Sequence, residues 1–421
     1  MRSFNVDRNL LDREIIRIAI QKVCKNKHKK NGRPTRKYIY AQRILANLDK
    51  YVDKTYDMVE AYIAVKEAEA RGEKADSQTF VKAFKPSPQK FFTVVCDNGK
   101  VRDIASVPIF PDQVMHQLLV MVAEKYFMRG MYAYSCGSIP GRGVHYGKRY
   151  LERSIKRAKR WAPSELKYAA QLDIKKCYPH VRHAELKAAI RKKFRGNIFV
   201  SLCYDIIDSY NEAAPDEAPR GLPIGFYTSQ WFCNFLLTPL DHAIKERLKV
   251  KIYARNMDDM VMFHRNKKEL HAIVRAISEE AGKYGLQLKE NWQVFRFDYI
   301  DKRGKNRGRV SEKHKKRALD NHKGRALDVL GFRFYRDRII LRRRLALGIR
   351  RAVARMSKKF KAHRRITLHE ARSLMSRLGG LRHCNSLGFY EKYIKPLLKI
   401  KKVKEIIRNE IRINSNARCA V

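Results

Sequence analysis

The stretch Tyr253-Ala-Arg-Asn-Met-Asp-Asp-Met-Val-Met-Phe263 reads as an apolar strand broken by two adjacent acids, Asp258 and Asp259. Aspartate is disfavoured in strands, and a carboxylate among apolar residues needs a cation, a partner or a turn. One explanation is an Asx-rich hairpin turn. The other is a metal-binding hairpin of the kind a nucleic-acid polymerase needs. That site requires a third acid from a separate strand, because two Mg2+ ions roughly 4 Å apart must share carboxylates. Gln171-Leu-Asp-Ile-Lys-Lys-Cys-Tyr178 supplies a candidate, with Asp173 ending a second apolar run.

The composition agrees with a polyanionic partner. Lys and Arg total 92 against 42 acids, a net charge of +50 over 421 residues. A chain so charged repels itself unless a polyanion is present, and the basic residues run its whole length, so nucleic acid is the expected partner. An anionic membrane surface fits less well, because no basic amphipathic helix flanks a hydrophobic anchor. No apolar run approaches the roughly 20 residues of a membrane span, and Met1-Arg-Ser-Phe-Asn-Val-Asp-Arg8 lacks a signal-peptide core. Eight cysteines without a C-x-x-C pair point to reduced thiols in a cytoplasmic protein rather than a zinc site or a disulfide framework.

Outward from the acids, residues 7–72 carry helical periodicity: Leu10, Leu11, Ile15, Ile16, Ile18 and Val23, then Ile44, Leu45, Leu48 and Val52 after Pro34. Pro86-Ser-Pro88 marks a boundary. Phe91 to Cys96 and Lys100 to Ala105 flank Asp97-Asn-Gly99 as a hairpin. Lys100 and Arg102 alternate to one face of its second strand, which suits a triphosphate or plain solvent. A helix follows over 111–128. Gly137-Ser-Ile-Pro-Gly-Arg-Gly-Val-His-Tyr-Gly147 matches neither the dinucleotide nor the Walker spacing, but its glycines and Arg142 let backbone approach a nucleic-acid strand. Further helices are expected at 183–194, 228–245 and 267–284, with a β-rich run at 292–297. Residues 302–325 are a polycationic stretch expected to order on RNA or DNA. A second hairpin is expected from Leu330 to Arg342, and 345–421 read as basic helices broken at Gly379-Gly380 and Pro396.

Arg220-Gly-Leu-Pro-Ile-Gly-Phe-Tyr-Thr-Ser-Gln-Trp-Phe-Cys-Asn234 and Leu240-Asp-His242, with Asp173 upstream and Asp258–Asp259 downstream, resemble the ordered motifs of a reverse transcriptase. The resemblance covers about residues 90–400 and is closest to bacterial non-retroviral enzymes: defence-associated, diversity-generating and group II intron-like. It implies an α+β right-hand polymerase fold, fingers and palm on an antiparallel sheet with a basic helical thumb. The expected divisions are an N-terminal helical extension (1–88), fingers (89–172), palm (173–300), a basic loop with primer-grip hairpin (301–344) and thumb (345–421). By the same resemblance Asp173, Asp258 and Asp259 look like the ligands of two Mg2+ ions (Mn2+ as a substitute), with the Ile174 carbonyl. Lys289 looks like the lysine that protonates the leaving pyrophosphate. Lys100 and Arg102 look like the triphosphate clamp, Tyr178 like the gate against a 2′-hydroxyl, and Phe226 to Gln230 like the loop under the incoming nucleotide. Gly331, Phe332 and Arg333 look like the primer grip, and Arg142 and Asn256 like nucleic-acid contacts.

Two positions depart from the pattern. Asn256 stands where the family usually has an aromatic near the primer end, which bears on primer geometry and not on the metals. Gln230 stands where intron enzymes usually have Pro, and no H-N-H nuclease cluster lies beyond residue 345; both point away from a mobile intron. The expected activity is RNA-directed DNA synthesis on a dedicated structured noncoding RNA in antiviral defence, with dNTPs as substrates, cDNA as product, and an accessory protein or a second copy as further partners. A diversity-generating retroelement enzyme is the first alternative, sharing Ile224-Gly-x-x-x-Ser-Gln230. A catalytically silent RNA-binding protein on the same fold is the second.

Overall fold

The computed structural model describes residues 4–25, 27, 33–96, 99–300 and 322–419. The basic stretch expected at 302–325 lies outside the described residues up to position 321, as do Asp97 and Asn98 of the first hairpin turn.

The chain opens with helices α1 (Arg13–Lys25), α2 (Arg36–Ala46), α3 (Leu48–Ala70) and the short α4 (Ser77–Lys82). The helical periodicity is realised as separate rods, because the chain turns at Asn47 and Thr35 caps α2 by accepting from the Tyr38 amide. Strands β1 (Lys90–Val95) and β2 (Val101–Ser106) form the expected antiparallel hairpin. Lys100 lies one residue before β2 and continues its ladder, its carbonyl accepting from the Cys96 amide at 2.8 Å. Helix α5 (Val114–Met128) is buried on nearly every side, with Val114, Met115, Leu118, Leu119, Val120, Val122, Ala123 and Phe127 all covered. A helix apolar all round must be wrapped by others, and α1 packs directly against it. The glycine-rich stretch leads into α6 (Val144–Trp161), whose first turn takes in the last residues of that stretch.

The centre is a four-stranded antiparallel sheet. It contains β3 (Tyr168–Asp173), β4 (Ile252–Asn256), β5 (Asp259–His264) and β6 (Gln293–Arg296) in the order β4-β5-β3-β6. Between β3 and β4 come α7 (Cys177–His180), α8 (His183–Lys193), α9 (Asn197–Asp208), α10 (Tyr227–Leu236) and α11 (Thr238–His242). Helix α12 (Lys267–Gly282) joins β5 to β6. The single helix expected over 228–245 is divided. The break comes at Pro239, which sits in the first turn of α11, lacks an N–H and cannot continue α10, while Thr238 bonds back to the Asn234 carbonyl. Helix α9 has no counterpart among the helices expected from sequence.

Alternation along the strands divides the interior in two. Ala170, Leu172, Tyr253, Met260 and Met262 share one core with α1, α3, α5, α8, α9, α10 and α12. Ala169, Ile252, Ala254, Val261 and Phe263 face the opposite way, onto α6 and the C-terminal lobe. Because both faces are covered, the strands read as unbroken apolar runs instead of alternating ones.

After β6 come β7 (Tyr299–Ile300), β8 (His322–Lys323) and a three-stranded sheet of β9 (Leu327–Val329), β10 (Phe332–Phe334) and β11 (Ile339–Leu341), in the order β11-β10-β9. Leu330 and Gly331, both at positive φ, make the tight turn between β9 and β10. The C-terminal helices are α13 (Arg343–Lys361), α14 (Leu368–Gly379), α15 (Leu387–Tyr393) and α16 (Ile400–Cys419), with breaks at Gly379-Gly380 and Pro396 as expected. A Thr367–Glu370 capping box starts α14. This is the α+β right-hand polymerase fold: a palm sheet, a fingers hairpin and a basic helical thumb. Among the described residues no helix is long and apolar enough to cross a membrane.

Candidate active site

Strand pairing brings the acids together. Asp173, the last residue of β3, is the ladder partner of Asp259, the first of β5. Asn256 pairs with Asp259 across the β4–β5 hairpin, which leaves Met257 and Asp258 as a two-residue turn with Met257 at φ +57°. Asp258 is tied back to β3's end by its carbonyl, which accepts from the Ile174 amide at 3.3 Å. The Lys289 amide donates to the Asp173 carbonyl at 2.8 Å, and the Lys175 amide to the Gln287 carbonyl at 2.7 Å. The segment after α12 is thereby zipped against the segment after β3, and the Lys289 ammonium is ion-paired with Asp173 Oδ2.

The electrostatics follow from this crowding. Burial first, then Asp173, raises the pKa of the Asp258 carboxyl. Asp259 opens onto solvent, yet the surrounding protein, Asp258 and Asp173 push its carboxyl up to about 6, with Lys289 and Arg342 pulling the other way. Asp173 Oδ1 is buried with no hydrogen-bond partner. Three mutually repelling carboxylates with one orphaned oxygen are chemically suited to a hard cation, since oxygen donors are what Mg2+ takes. Among the described residues no three His, Cys, Asp or Glu side chains are arranged to enclose a metal by themselves. That is compatible with Mg2+, which usually takes one or two carboxylates and completes its shell with water and substrate phosphates.

Other expected residues divide into those the fold brings to the acids and those it does not. Tyr178 is near them: its hydroxyl pKa is raised by burial, then by Cys233, Cys177 and Asp258, while Arg102 lowers it. Cys177, beside it in the chain, touches Cys233 of α10 with sulfurs 3.2 Å apart, which fixes the turn after β3 against that helix. Arg102 is exposed on β2 and acts on Asp258 as well. Gln230 is exposed on the first turns of α10, whereas Phe226 is buried against the His116 ring. Phe226 therefore supports the loop, and Tyr227 and Gln230 present it. His116 Nδ1 lies 2.9 Å from Thr228 Oγ1, and burial lowers its pKa to about 3, so it stays neutral. Arg142 donates to the carbonyls of Tyr132 at 2.5 Å and Ser135 at 3.1 Å; it staples its own loop and is not aimed at the acids.

Sequence reasoning missed one wall of the site. A cleft of about 570 Å³ runs from Asp173 and Asp259 past Trp292 and Gln293 to Arg325, Asp328, Arg342 and Arg344. Arg342 Nε donates to Asp328 Oδ1 at 2.5 Å, and the Arg342 amide to the Gly331 carbonyl at 2.9 Å, so the β9–β10 turn and α13's start are held together beside the acids. Phe332 is buried and Arg333 half-buried on β10. Asp328 and Arg342 lie 14 residues apart with no motif to join them, and only the folded sheet pairs them.

No curated protein matches this sequence. Among solved structures the chain is similar to an apo telomerase from Candida tropicalis truncated from its C-terminal domain, at 15% identity and TM-score 0.41 over 60% of this chain and 55% of that one. It is also similar to a telomerase from Candida albicans in complex with a TWJ fragment of telomeric RNA, at 10% identity and TM-score 0.40 over 79% and 61%. The chain thus spans about 55% of the length of the first of these. The sequence also matches the reverse transcriptase (RNA-dependent DNA polymerase) family over residues 87–333. Since that span takes in more than half of the chain, from the approach to β1 through most of β10, the protein belongs to the reverse transcriptase family.

Proposed function

We propose that the protein is a cytoplasmic RNA-directed DNA polymerase that copies a dedicated structured RNA into cDNA. The observation that carries the reading is the meeting of Asp173, Asp258 and Asp259 at one end of the palm sheet, with Lys289 on Asp173 and Tyr178 and Arg102 beside them. Asp173, Asp258, Asp259 and the Ile174 carbonyl would hold Mg2+. Bound there, the metal supplies a lowered pKa for the primer hydroxyl and charge neutralisation for the triphosphate.

The chain's own groups do the rest. Arg102 and Lys100 neutralise and orient the triphosphate from the fingers hairpin. The half-buried Tyr178 ring takes up the room a 2′-hydroxyl would need. Tyr227 and Gln230, supported by Phe226, lie under the incoming nucleotide. Lys289, once its ammonium leaves Asp173 Oδ2, is free to give a proton to the departing pyrophosphate. Asn256, Gly331 and Arg333 line the path of the primer end, with Phe332 buried beneath them. Support for a dedicated RNA comes from the +50 charge and the basic helices α1, α2 and α13; the antiviral-defence setting rests on sequence resemblance. The test is primer extension on an RNA template. Wild type should extend, and Asp173→Ala and Asp258→Ala should not, while both keep RNA affinity within about twofold, since charge holds the RNA. Extension by either variant at the wild-type rate would overturn the assignment.

A further inference from the structure

Arg255 is the least expected residue in the palm. It sits in β4, three positions before Asp258, and is 0% exposed. A buried guanidinium must be paired, and this one makes four hydrogen bonds. Nε and Nη2 form a two-pronged pair with Asp241 of α11, at 2.8 Å to Oδ1 and 2.7 Å to Oδ2, and Asp241 is also 0% exposed. The Tyr253 hydroxyl adds a third donor to Asp241 at 2.6 Å. Docking β4 onto α11 needs no more than this, and an apolar pair of similar volume would serve as well.

The remaining prong goes elsewhere. Arg255 Nη1 donates to the Met257 carbonyl at 3.0 Å and to Asn234 Oδ1 at 3.0 Å. Asn234, on α10, donates in turn to the Gly137 carbonyl at 2.9 Å and to Met257 Sδ at 3.2 Å. The Met257 carbonyl and the Asp258 amide belong to one planar peptide unit. Holding the carbonyl with a charged donor therefore fixes the plane from which Asp258 projects. Met257 is at φ +57°, a conformation that a non-glycine residue keeps only when its surroundings enforce it. Gly137 closes the clamp from the other side: a Cβ there would lie 2.7 Å from both the Met257 amide nitrogen and Cγ. Backbone bonds lock that segment on, from the Arg255 amide to the Tyr134 carbonyl and from the Cys136 amide to the Arg255 carbonyl, each 2.9 Å.

We propose that Arg255, with Asp241, Asn234 and Gly137, is a positioning network that sets the aim of Asp258, and that its role is metal geometry more than the stability of the fold. The inference rests on the reading of Asp258 as a metal-holding acid. Outer groups that orient a ligand typically change metal affinity or activity by about 10- to 100-fold when removed.

Two variants separate positioning from folding. Arg255→Met/Asp241→Leu replaces the buried pair by apolar side chains and leaves the Met257 carbonyl unheld. Gly137→Ala leaves every charge in place and pushes on the Met257 amide. Mn2+ binding to the full chain is read from the free-ion electron paramagnetic resonance signal, without nucleic acid, and thermal melting is followed in parallel. Single-turnover extension is then measured with the burst amplitude counting competent molecules. Both variants should weaken Mn2+ binding, and slow extension per competent molecule, by about 10- to 100-fold, with cooperative melting and duplex affinity kept. Wild-type Mn2+ affinity and per-molecule rate in either folded variant, with only amplitude or melting temperature lowered, would overturn the proposal, as would failure of both to fold. Asp258→Ala is the control on the underlying reading. If it binds Mn2+ and extends as wild type does, that reading fails, whatever the Arg255 variant shows.

Discussion

Replacing Lys289 by Met should make a metal bind more tightly and the chemistry run more slowly. The ammonium is ion-paired with Asp173 Oδ2, the two side chains 31% and 30% exposed, so in the metal-free protein it occupies an oxygen a cation would use. It also lowers the carboxyl pKa of Asp258 and Asp259. Removing it acts on both states, and both effects favour the metal. The metal-free protein loses a charge-assisted bond worth about 1 kcal/mol once discounted for its solvent exposure. The incoming dication loses a repulsive neighbour. At roughly 5 Å and a water-like dielectric, a single charge and a divalent ion repel by about 1.7 kcal/mol, which is more than tenfold in affinity. Mn2+ titration should therefore show binding tighter by about 10- to 100-fold in Lys289→Met, and added metal should raise its melting temperature by more than it raises that of wild type. Single-turnover extension at saturating metal should meanwhile fall by about 10²-fold or more, as expected for loss of a proton donor. Metal affinity that is unchanged or weaker would show that the lysine does not compete for Asp173, and an unchanged rate would remove it from the proton-transfer role.

Tyr178→Val should raise incorporation of ribonucleotides relative to deoxyribonucleotides on one RNA template; an unchanged ratio leaves Tyr178 as a packing residue over Cys177 and Cys233. The pKa of Asp259 is raised to about 6 from 3.8, so near pH 6 the proton and the metal compete for the same oxygens. Half-saturating Mg2+ should climb as pH falls from 8 to 6, and a midpoint that stays flat in single-turnover assays would contradict the raised carboxyl. By the same shift, this group's contribution to metal-free stability is greatest below about pH 4 and is lost as pH rises towards 6, because the unfolded chain ionises first. Gly225→Ala would put a Cβ 2.2 Å from the Ala105 carbonyl oxygen at a backbone with φ +125°. The strain of about 1–3 kcal/mol should part β2 from the loop before α10 and raise the dNTP KM several-fold, with RNA affinity unchanged.

The chain's punctuation makes much of the palm legible. Asp at strand ends, glycines before α10 and apolar runs of strand length each act locally, so Asp173, Asp258 and Asp259 can be named without a fold. The division of 228–245 at Pro239 is equally local and is readable from the proline itself. Other features depend on partners distant in sequence. Arg142 looks available to a nucleic acid until the loop from Tyr132 to Ser135 folds over it. Phe226 looks like a contact residue until His116 arrives from α5. An Arg inside an apolar strand does announce that Arg255 needs a buried acid, but nothing in the spacing singles out Asp241. The Asp328–Arg342 wall needs both the β9–β10 turn and the start of α13 before it exists.

The wrapping of α5 sets a limit on dissection. The span matching the family begins at residue 87 and ends at 333. Yet one flank of α5 is covered by α1, and the core on the reverse side of the palm sheet, shared with α6 and the β9–β11 sheet, also takes in the apolar sides of α13 and α14. A fragment trimmed to the matched borders would carry two bare oily surfaces on opposite sides, one where α1 was removed and one where the thumb was. Excised polymerase cores of this protein should therefore aggregate on expression, and chimaeras that exchange its ends for those of a relative will need to exchange the abutting faces of α5 and the sheet as well.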